Sequence, residues 1–259
     1  MPEQLVINLD LQAAYNEQYS DKMSPWREIG GKYKVQNILD VCQGRQFHKV
    51  LECGAGEGSI LMHLDKAHFA DELYAVEISD SGIAAIKQRN LPSVKAVEKF
   101  NGYEIPFPDQ YFDLVILSHV LEHVEHPRLL LRELRRVSQF QLIEVPLDYS
   151  PNVDQKVQHY LVYGHINIFT PALLRFLLKS ENFTVVADKH SLNHPEVIQY
   201  SMYINAGQKK TVTSELKRRY KVWRSAVRRR LSLARSRQEF RYNAYTILCT
   251  HQGGTLQIF

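Results

Sequence analysis

Cysteine is scarce in this chain. Three thiols, Cys42, Cys53 and Cys249, stand in 259 residues, odd in number and without C-x-x-C spacing. Neither a disulfide framework nor a zinc site is indicated, and no bound metal is expected. No apolar run approaches the roughly 18 residues that span a bilayer. The N-terminus also lacks a basic stretch followed by an apolar core, the mark of a secretory leader. Together these absences predict a cytoplasmic protein. Nor is there a target-recognition domain for DNA or a recognised RNA-binding module, so no specific nucleic acid is expected. What is present is long enough for one full α/β domain with insertions.

The most informative stretch is residues 50–58: Val50, Leu51, Glu52, Cys53, Gly54, Ala55, Gly56, Glu57 and Gly58. An apolar strand tip runs into an acid and then into three glycines at alternate positions. Such glycines let the backbone take positive φ and let a ligand approach main-chain atoms that a Cβ would shield. A dinucleotide-binding turn needs G-x-G-x-x-G, because its last glycine lets helix and strand pack closely behind the pyrophosphate. Here that position is Ser59.

Around this turn, apolar strands alternate with amphipathic helices. Strand one is predicted at His48 to Cys53, followed by a helix carrying Ile60, Leu61 and Leu64. Strand two, Leu73 to Ile78, ends in the acid Glu77, and Asp80 caps the helix after it. Val94 to Val97, Phe112 to Leu117, Gln141 to Val145, Phe183 to Ala187 and Tyr242 to Thr250 supply strands three to seven. Pro127 and Pro171 open helices, and Ser24-Pro25 opens an earlier one through about Val41. Asn182 stands where a helix C-cap glycine is expected. The repeated βα order predicts a doubly wound, Rossmann-like seven-stranded sheet with helices on both faces.

The E-x-G-x-G-x-G turn, the acid ending strand two, and the run N-G-Y-E-I-P-F-P-D-Q-Y-F-D-L-V-I-L-S-H-V-L-E-H-V-E-H at residues 101–126 stand in one order and spacing. In these three motifs the chain resembles the small-molecule branch of the class I S-adenosylmethionine-dependent methyltransferases, of methyltransferase type 11. The resemblance implies S-adenosylmethionine as cofactor. Gly54, Ala55, Gly56 and Gly58 would lay backbone against its methionine part, and Glu52 would order the turn or take its amino group. Glu77 would bind the ribose hydroxyls and Ile78 would flank the adenine. Asn101, where the family has an acid, would accept from the adenine amino group with help from the Gly102 backbone. Ser118 and His119 would lie near the sulfonium. Tyr15 and Tyr19, ahead of the first helix, either form a lid over the cofactor or pack an N-terminal helix.

Two segments exceed the minimal fold. Pro146 to Thr170, rich in Tyr, His and Asn, should leave the carboxyl edge of the sheet, where ligands bind. Its histidines join His119, His123 and His126 after strand four as candidates for a general base, with His123, His165 and His119 the catalytic choices. A hydrogen-bonding role for each is the competing reading, and His126 is taken as a surface residue. Between strands six and seven, Ile198, Tyr200, Met202 and Ile204 alternate like an extra strand. From Lys209 to Arg241 stand thirteen Lys and Arg against two Glu, a local +11 in a chain of net +4, which leaves −7 for the remainder. Leu216, Tyr220, Trp223, Val227, Leu231 and Ala234 form an apolar stripe on that basic helix. Such a stripe packs on the domain or on a second subunit of a homodimer; an anionic surface, an anionic substrate or nucleic acid are the other occupants.

The expected organisation is a cap and lid at 1–45, a cofactor-binding core at 46–188, an insertion at 189–241, and a closing strand at 242–259. The expected activity is methyl transfer to an O or N atom of a small-molecule acceptor, with the G-H-I-N-x-F-T segment hinting at a sugar or nucleotide-sugar. The alternatives are an inactive S-adenosylmethionine-binding scaffold, and a methyltransferase that reaches a lipid or RNA through the basic helix.

Overall fold

The computed structural model describes residues 24–230 and 241–251. Its seven strands are β1 (Phe47–Cys53), β2 (Ala70–Glu77), β3 (Val94–Lys99), β4 (Phe112–Ser118), β5 (Ser138–Pro146), β6 (Phe183–Ser191) and β7 (Ala244–His251). They form one sheet in the order β3-β2-β1-β4-β5-β7-β6. The pairs among β1 to β5 are parallel, whereas β7 runs antiparallel to both β5 and β6. The described helices are α1 (Ser24–Val41), α2 (Ser59–Lys66), α3 (Asp80–Gln88), α4 (Pro127–Val137), α5 (Val157–Val162), α6 (Pro171–Lys179), α7 (Pro195–Tyr200) and α8 (Val212–Arg230). None of them is long and apolar enough to cross a membrane.

The central strands are buried on both faces, so their side chains divide by alternation between two cores. Leu51 and Cys53 of β1, and Val115 and Leu117 of β4, join Leu130, Leu131 and Leu134 of α4 on one face. Val50, Leu114 and Ile116 join Val35 and Ile38 of α1, and Leu61 and Leu64 of α2, on the other. Each buried Leu or Ile removed from water contributes about 1.5 to 3 kcal/mol. The strand order reverses between β1 and β4, so α2 and the loop after β4 diverge and leave a crevice at the carboxyl edge.

Two contacts hold α1 over that crevice. Gly31 packs so closely on the start of α2 that a Cβ there would come within 2.9 Å of the Ser59 carbonyl oxygen. Asn37 donates its amide to Glu144 at 3.1 Å. Glu144 is buried in β5 and also accepts from Thr246 of β7 at 2.5 Å and from Ser118 of β4 at 3.2 Å.

The extra strand expected around Ile198 to Ile204 does not form. Residues 195–200 are α7, continued by a π-helical turn at Ser201–Asn205. Pro195 stands in its first turn, and the His194 ring accepts from the Glu196 N–H at 3.3 Å. Start signals thus outweighed four alternating apolar residues. Strands β2, β5 and β6 extend beyond their apolar runs, because backbone pairing continues past the buried side chains; β6 reaches Ser191 opposite Ala244. The C-cap of α6 is Ser180 rather than Asn182, which takes the left-handed conformation, φ 62°, two residues further on in the turn into β6.

The basic helix differs most from expectation. Leu216, Tyr220 and Trp223 of α8 are 60%, 58% and 61% exposed, so the stripe does not pack on the domain. Val227 is half-buried, while Leu231 and Ala234 lie outside the described residues. What orders the start of α8 is polar: Tyr203 donates to Glu215 at 2.6 Å, and Arg218 pairs with the same carboxylate at 2.9 Å.

Two outcomes follow from this packing. Trp223→Ala should change unfolding free energy by less than about 0.5 kcal/mol, the range of exposed substitutions; denaturant titration checks it, and a loss near 3 kcal/mol, typical of an emptied aromatic site, would contradict the exposed placement. The Glu144 carboxyl sits at about 2, below its ordinary 4.5. A carboxylate depressed on folding adds stability above its unfolded value and loses it as pH falls through the folded one. Stability of the wild type relative to Glu144→Gln should therefore be constant above about pH 5 and shrink by about 3 kcal/mol toward pH 2, as urea titrations across that range would measure.

Candidate active site

The glycine turn after β1 is built by a buried carboxylate. Gly54 and Gly58 take φ of 74° and 80°, a region closed to most side chains. A Cβ on Gly54 would also meet the Val120 side chain at 2.6 Å. Glu77, at the tip of β2, accepts the Gly56 N–H at 2.8 Å and the Ser79 N–H and hydroxyl at 3.0 and 2.9 Å. One carboxylate therefore fixes both the turn after β1 and the start of α3.

The crevice holds a cavity of about 230 Å³ between that turn, the end of β4 and α1. Glu52, Gly54, Ala55, Gly56, Ser118 and His119 line it, as does a set that sequence reasoning missed: Trp26, Arg27, Gly30, Gly31 and Lys34 of α1. Two adjacent glycines inside a helix, each costing about 1 kcal/mol relative to Ala, were the available signal. Gly31 serves the close approach to α2, and the Cβ position of Gly30 faces open space. Gly58, Glu77, Ile78, Asn101, Gly102, His123 and His165 do not line it. Asn101 holds its own turn, its amide oxygen accepting from the Tyr103 and Glu104 N–H groups at 2.9 and 2.8 Å. Tyr15 and Tyr19 lie outside the described residues.

Glu52 is 3% exposed, and its Oε2 has no hydrogen-bond partner among the described residues. Burial pushes its carboxyl up to about 8, against the pull of Lys34 and with help from Glu77. Trp26 Nε1, a buried donor at the same cavity, is likewise without an acceptor among the described residues. An orphaned acceptor and an orphaned donor beside bare glycine backbone fit the ammonium and carboxylate of an amino-acid ligand.

Beyond β4 the chain turns at His119, whose φ of 56° is rare outside glycine and marks local strain. That turn sets the ring between two buried carboxylates, Nδ1 at 3.4 Å from Glu122 and Nε2 at 3.4 Å from Glu144. Burial and Lys34 act to lower the His119 pKa, but the two carboxylates outweigh them and it is raised. The 3-10 turn Leu121–His123 follows, and the strand-five loop clamps it. The Ile166 and Asn167 N–H groups both donate to the Glu122 carbonyl at 2.9 Å, and the Asn167 amide donates to the Val124 carbonyl at 2.7 Å. His123 gives its Nδ1 proton to the Gly164 carbonyl at 2.9 Å, and a Cβ on Gly164 would press on that same nitrogen at 3.1 Å. His165 pairs through Nδ1 with Asp148 at 2.7 Å, and its ring stands edge-on to His123, 5.0 Å between centroids. Burial lowers the His123 pKa in spite of Glu122 and Gly164. The structure thus brings together His119, His123 and His165, three residues that sequence places up to 46 positions apart.

With this geometry in hand, comparison with known proteins is informative. A family profile described as a methyltransferase domain matches residues 51–139, from the glycine turn through α4. The putative methyltransferase YrhH of Bacillus subtilis is 28% identical over 121 residues, covering 44% of this chain and 67% of that protein. The ubiquinone/menaquinone biosynthesis C-methyltransferase UbiE of Cupriavidus taiwanensis is 31% identical over 113 residues, 42% of this chain; the match spans about half, 46%, of the relative's length. Among solved structures, a SAM-dependent methyltransferase from Archaeoglobus fulgidus superposes with a TM-score of 0.57 at 21% identity, covering 88% of this chain and 97% of that one. That likeness concerns the fold alone. The matched domain, the motif order and the sheet together support a class I S-adenosylmethionine-dependent methyltransferase.

Proposed function

We propose that this protein transfers the methyl group of S-adenosylmethionine to a small-molecule acceptor bound between the end of β4 and the loop after β5. The carrying observation is the buried Glu52 carboxyl at the glycine turn, whose Oε2 has no hydrogen-bond partner among the described residues and gives the cavity a polarity suited to the amino-acid end of the cofactor. When bound, S-adenosylmethionine supplies an electrophilic methyl group on a positively charged sulfur. Everything else is positioning, which can be worth about 7 to 11 kcal/mol of barrier.

In this reading Glu52 takes the ammonium, and Trp26 and Lys34 face the carboxylate. Glu77 carries the ribose in addition to the turn it holds, since three of its roughly four acceptor positions are used by the protein. Ile78 and Asn101 border the adenine. Ser118 and His119 line the methionine end of the cavity, and the His119 ring separates it from Glu122. His119, His123 and His165 border the acceptor, and His119, held between Glu122 and Glu144, holds or moves its proton. The acceptor class is a sugar or nucleotide-sugar, suggested by the G-H-I-N-x-F-T run. The three buried free thiols suit a reducing cytoplasm.

Protonation of Glu52 offers a direct test. Its carboxyl, raised to about 8, is mostly neutral at pH 7 in the free protein. An ammonium against Oε2 favours the carboxylate, so binding of S-adenosylhomocysteine should release up to one proton per chain at pH 7. Apparent affinity should rise with pH and level off above about 8. Calorimetry in two buffers of different ionisation enthalpy measures the release, and Glu52→Gln should abolish it. Absence of binding of either S-adenosylmethionine or its product to the wild type would overturn the assignment.

Gly30 gives a second test, because stability and function should move in opposite directions. Gly30→Ala places a methyl group toward the cavity while removing a mid-helix glycine, so the melting temperature of the free protein should rise by an amount corresponding to about 0.5 to 1 kcal/mol. Cofactor affinity should fall. Thermal shift with and without S-adenosylhomocysteine reads both, and unchanged affinity would remove Gly30 from the cofactor surface.

A further inference from the structure

Behind His119 the acceptor side contains a cluster that positioning of the cofactor does not explain. Glu122 is fully buried, yet neither of its carboxylate oxygens accepts a hydrogen bond among the described residues. The His119 Nδ1 stands 3.4 Å from Oε1 as its ion-pair partner, and at that distance most of the acceptor capacity of the buried carboxylate remains for a further ligand. Besides His119, two further imidazoles face it. One ligating atom each from Glu122, His123 and His165 lies within 4.8 Å of the others, and His123 Nε2 is 3.8 Å from Glu122 Oε1.

The tautomers suit the same purpose. A carbonyl only accepts, so the contact between His123 Nδ1 and Gly164 places the proton on Nδ1 and the lone pair on Nε2. The Asp148 carboxylate does the same for His165 through its Nδ1 at 2.7 Å. Each ring is thus oriented by its far nitrogen, one by a backbone carbonyl and one by a carboxylate, which is the outer-sphere pattern of metal-ligating histidines. Tyr160 in turn donates to the Asp148 carbonyl at 2.6 Å and helps hold that residue in place.

We propose that Glu122, His123 and His165 form a binding site for a divalent transition metal ion, which holds an oxygen-bearing acceptor beside the cofactor. This rests on the methyl-transfer reading above and deepens it. Bonds of about 2.0 to 2.2 Å to N and O ligands require donor atoms about 3 to 3.5 Å apart, and small rotations of the two rings close the present separations to that range. Two imidazoles and one carboxylate favour a cation from Mn²⁺ to Zn²⁺ over Mg²⁺ or Ca²⁺, which prefer all-oxygen sets. Three ligands on one side leave the remaining coordination positions open. Those positions select an acceptor that offers one oxygen, or two on neighbouring carbons, such as a vicinal diol of a sugar. Cysteine spacing, the only metal signal weighed in the sequence, does not report such a site.

The test is metal uptake. Protein stripped with a chelator is equilibrated with Co²⁺, Zn²⁺ or Mn²⁺, passed through a desalting column, and assayed for bound metal by mass spectrometry and, for Co²⁺, by visible absorption. The wild type should retain a stoichiometric amount. His165→Ala, on a loop, and Glu122→Gln should each lose at least about tenfold in affinity, and Asp148→Asn about 10- to 100-fold through the ring it orients. Stabilisation by S-adenosylhomocysteine, measured on the same samples, should persist in His165→Ala, which shows that the variant is folded. A wild type that retains none of the three metals, or variants that retain them undiminished, would overturn the proposal even where the cofactor binds. Metal bound without any cofactor binding would instead overturn the methyl-transfer reading.

Discussion

Much of this molecule is organised by one buried negative charge. Glu144 stands in the middle of the sheet with donors from α1, β4 and β7 around it and the His119 ring at 3.4 Å. Burial alone would keep such a carboxyl neutral; His119, Lys34 and Thr246 hold it ionised instead. Because its partners come from three elements, any displacement of α1 or of β7 leaves a buried charge under-solvated, and that penalty of several kcal/mol keeps the cavity walls in register. The same charge supports the raised pKa of His119. Scaffold and candidate site therefore share a carboxylate.

The glycine turn was legible because its requirement is local. Positive φ at Gly54 and Gly58 demands glycine whatever the rest of the chain does, so the pattern in residues 52–58 carried both the fold class and the cofactor. Strands β1 and β4 were legible as short apolar runs, and the helix starts at Pro127 and Pro171 as residues with one favoured conformation, whereas α3 is capped by Ser79, which accepts from the Gly82 N–H at 3.2 Å, and not by Asp80 as expected. The wall contributed by α1 was hidden, since Trp26 and Lys34 look like ordinary helix residues and only their placement over β1 gives them a role. Buried Glu122 and Glu144 were hidden for another reason. In sequence a carboxylate next to apolar residues reads as the solvent side of an alternating pattern, and the partners that hold Glu144 come from 26 to 107 positions away. The stripe on α8 misled in the opposite sense: periodicity defines a face and says nothing about whether anything covers it.

The segment that joins the acceptor residues explains the G-H-I-N run in mechanical terms. Gly164 gives its carbonyl to His123 and lacks the side chain that would crowd the ring; His165 adds a second ring; Ile166 and Asn167 tie their backbone to the Glu122 carbonyl. Four consecutive residues thus serve the turn after β4 rather than their own loop. Substitutions in that run act on the geometry of Glu122 and His123, so a change far from the cofactor in sequence can alter the acceptor side without touching the glycine turn.

The antiparallel placement of β7 sets the order in which the molecule can be completed. This strand lies between β5 and β6 in the sheet, yet it follows them in sequence after the whole of α7 and α8. During synthesis β6 therefore has no strand partner until residues 244–251 have left the ribosome, and the edge that pairs with β7 waits unpaired. The Thr246 hydroxyl, which reaches Glu144 across 102 positions, arrives among the last donors. Long-range pairing of this kind slows folding and exposes strand edges in the meantime. A nascent chain stalled before β7 would carry the complete glycine turn, the turn after β4 and the loop after β5, but on a sheet whose slot between β5 and β6 is still vacant, which makes the last strand the step that completes the sheet.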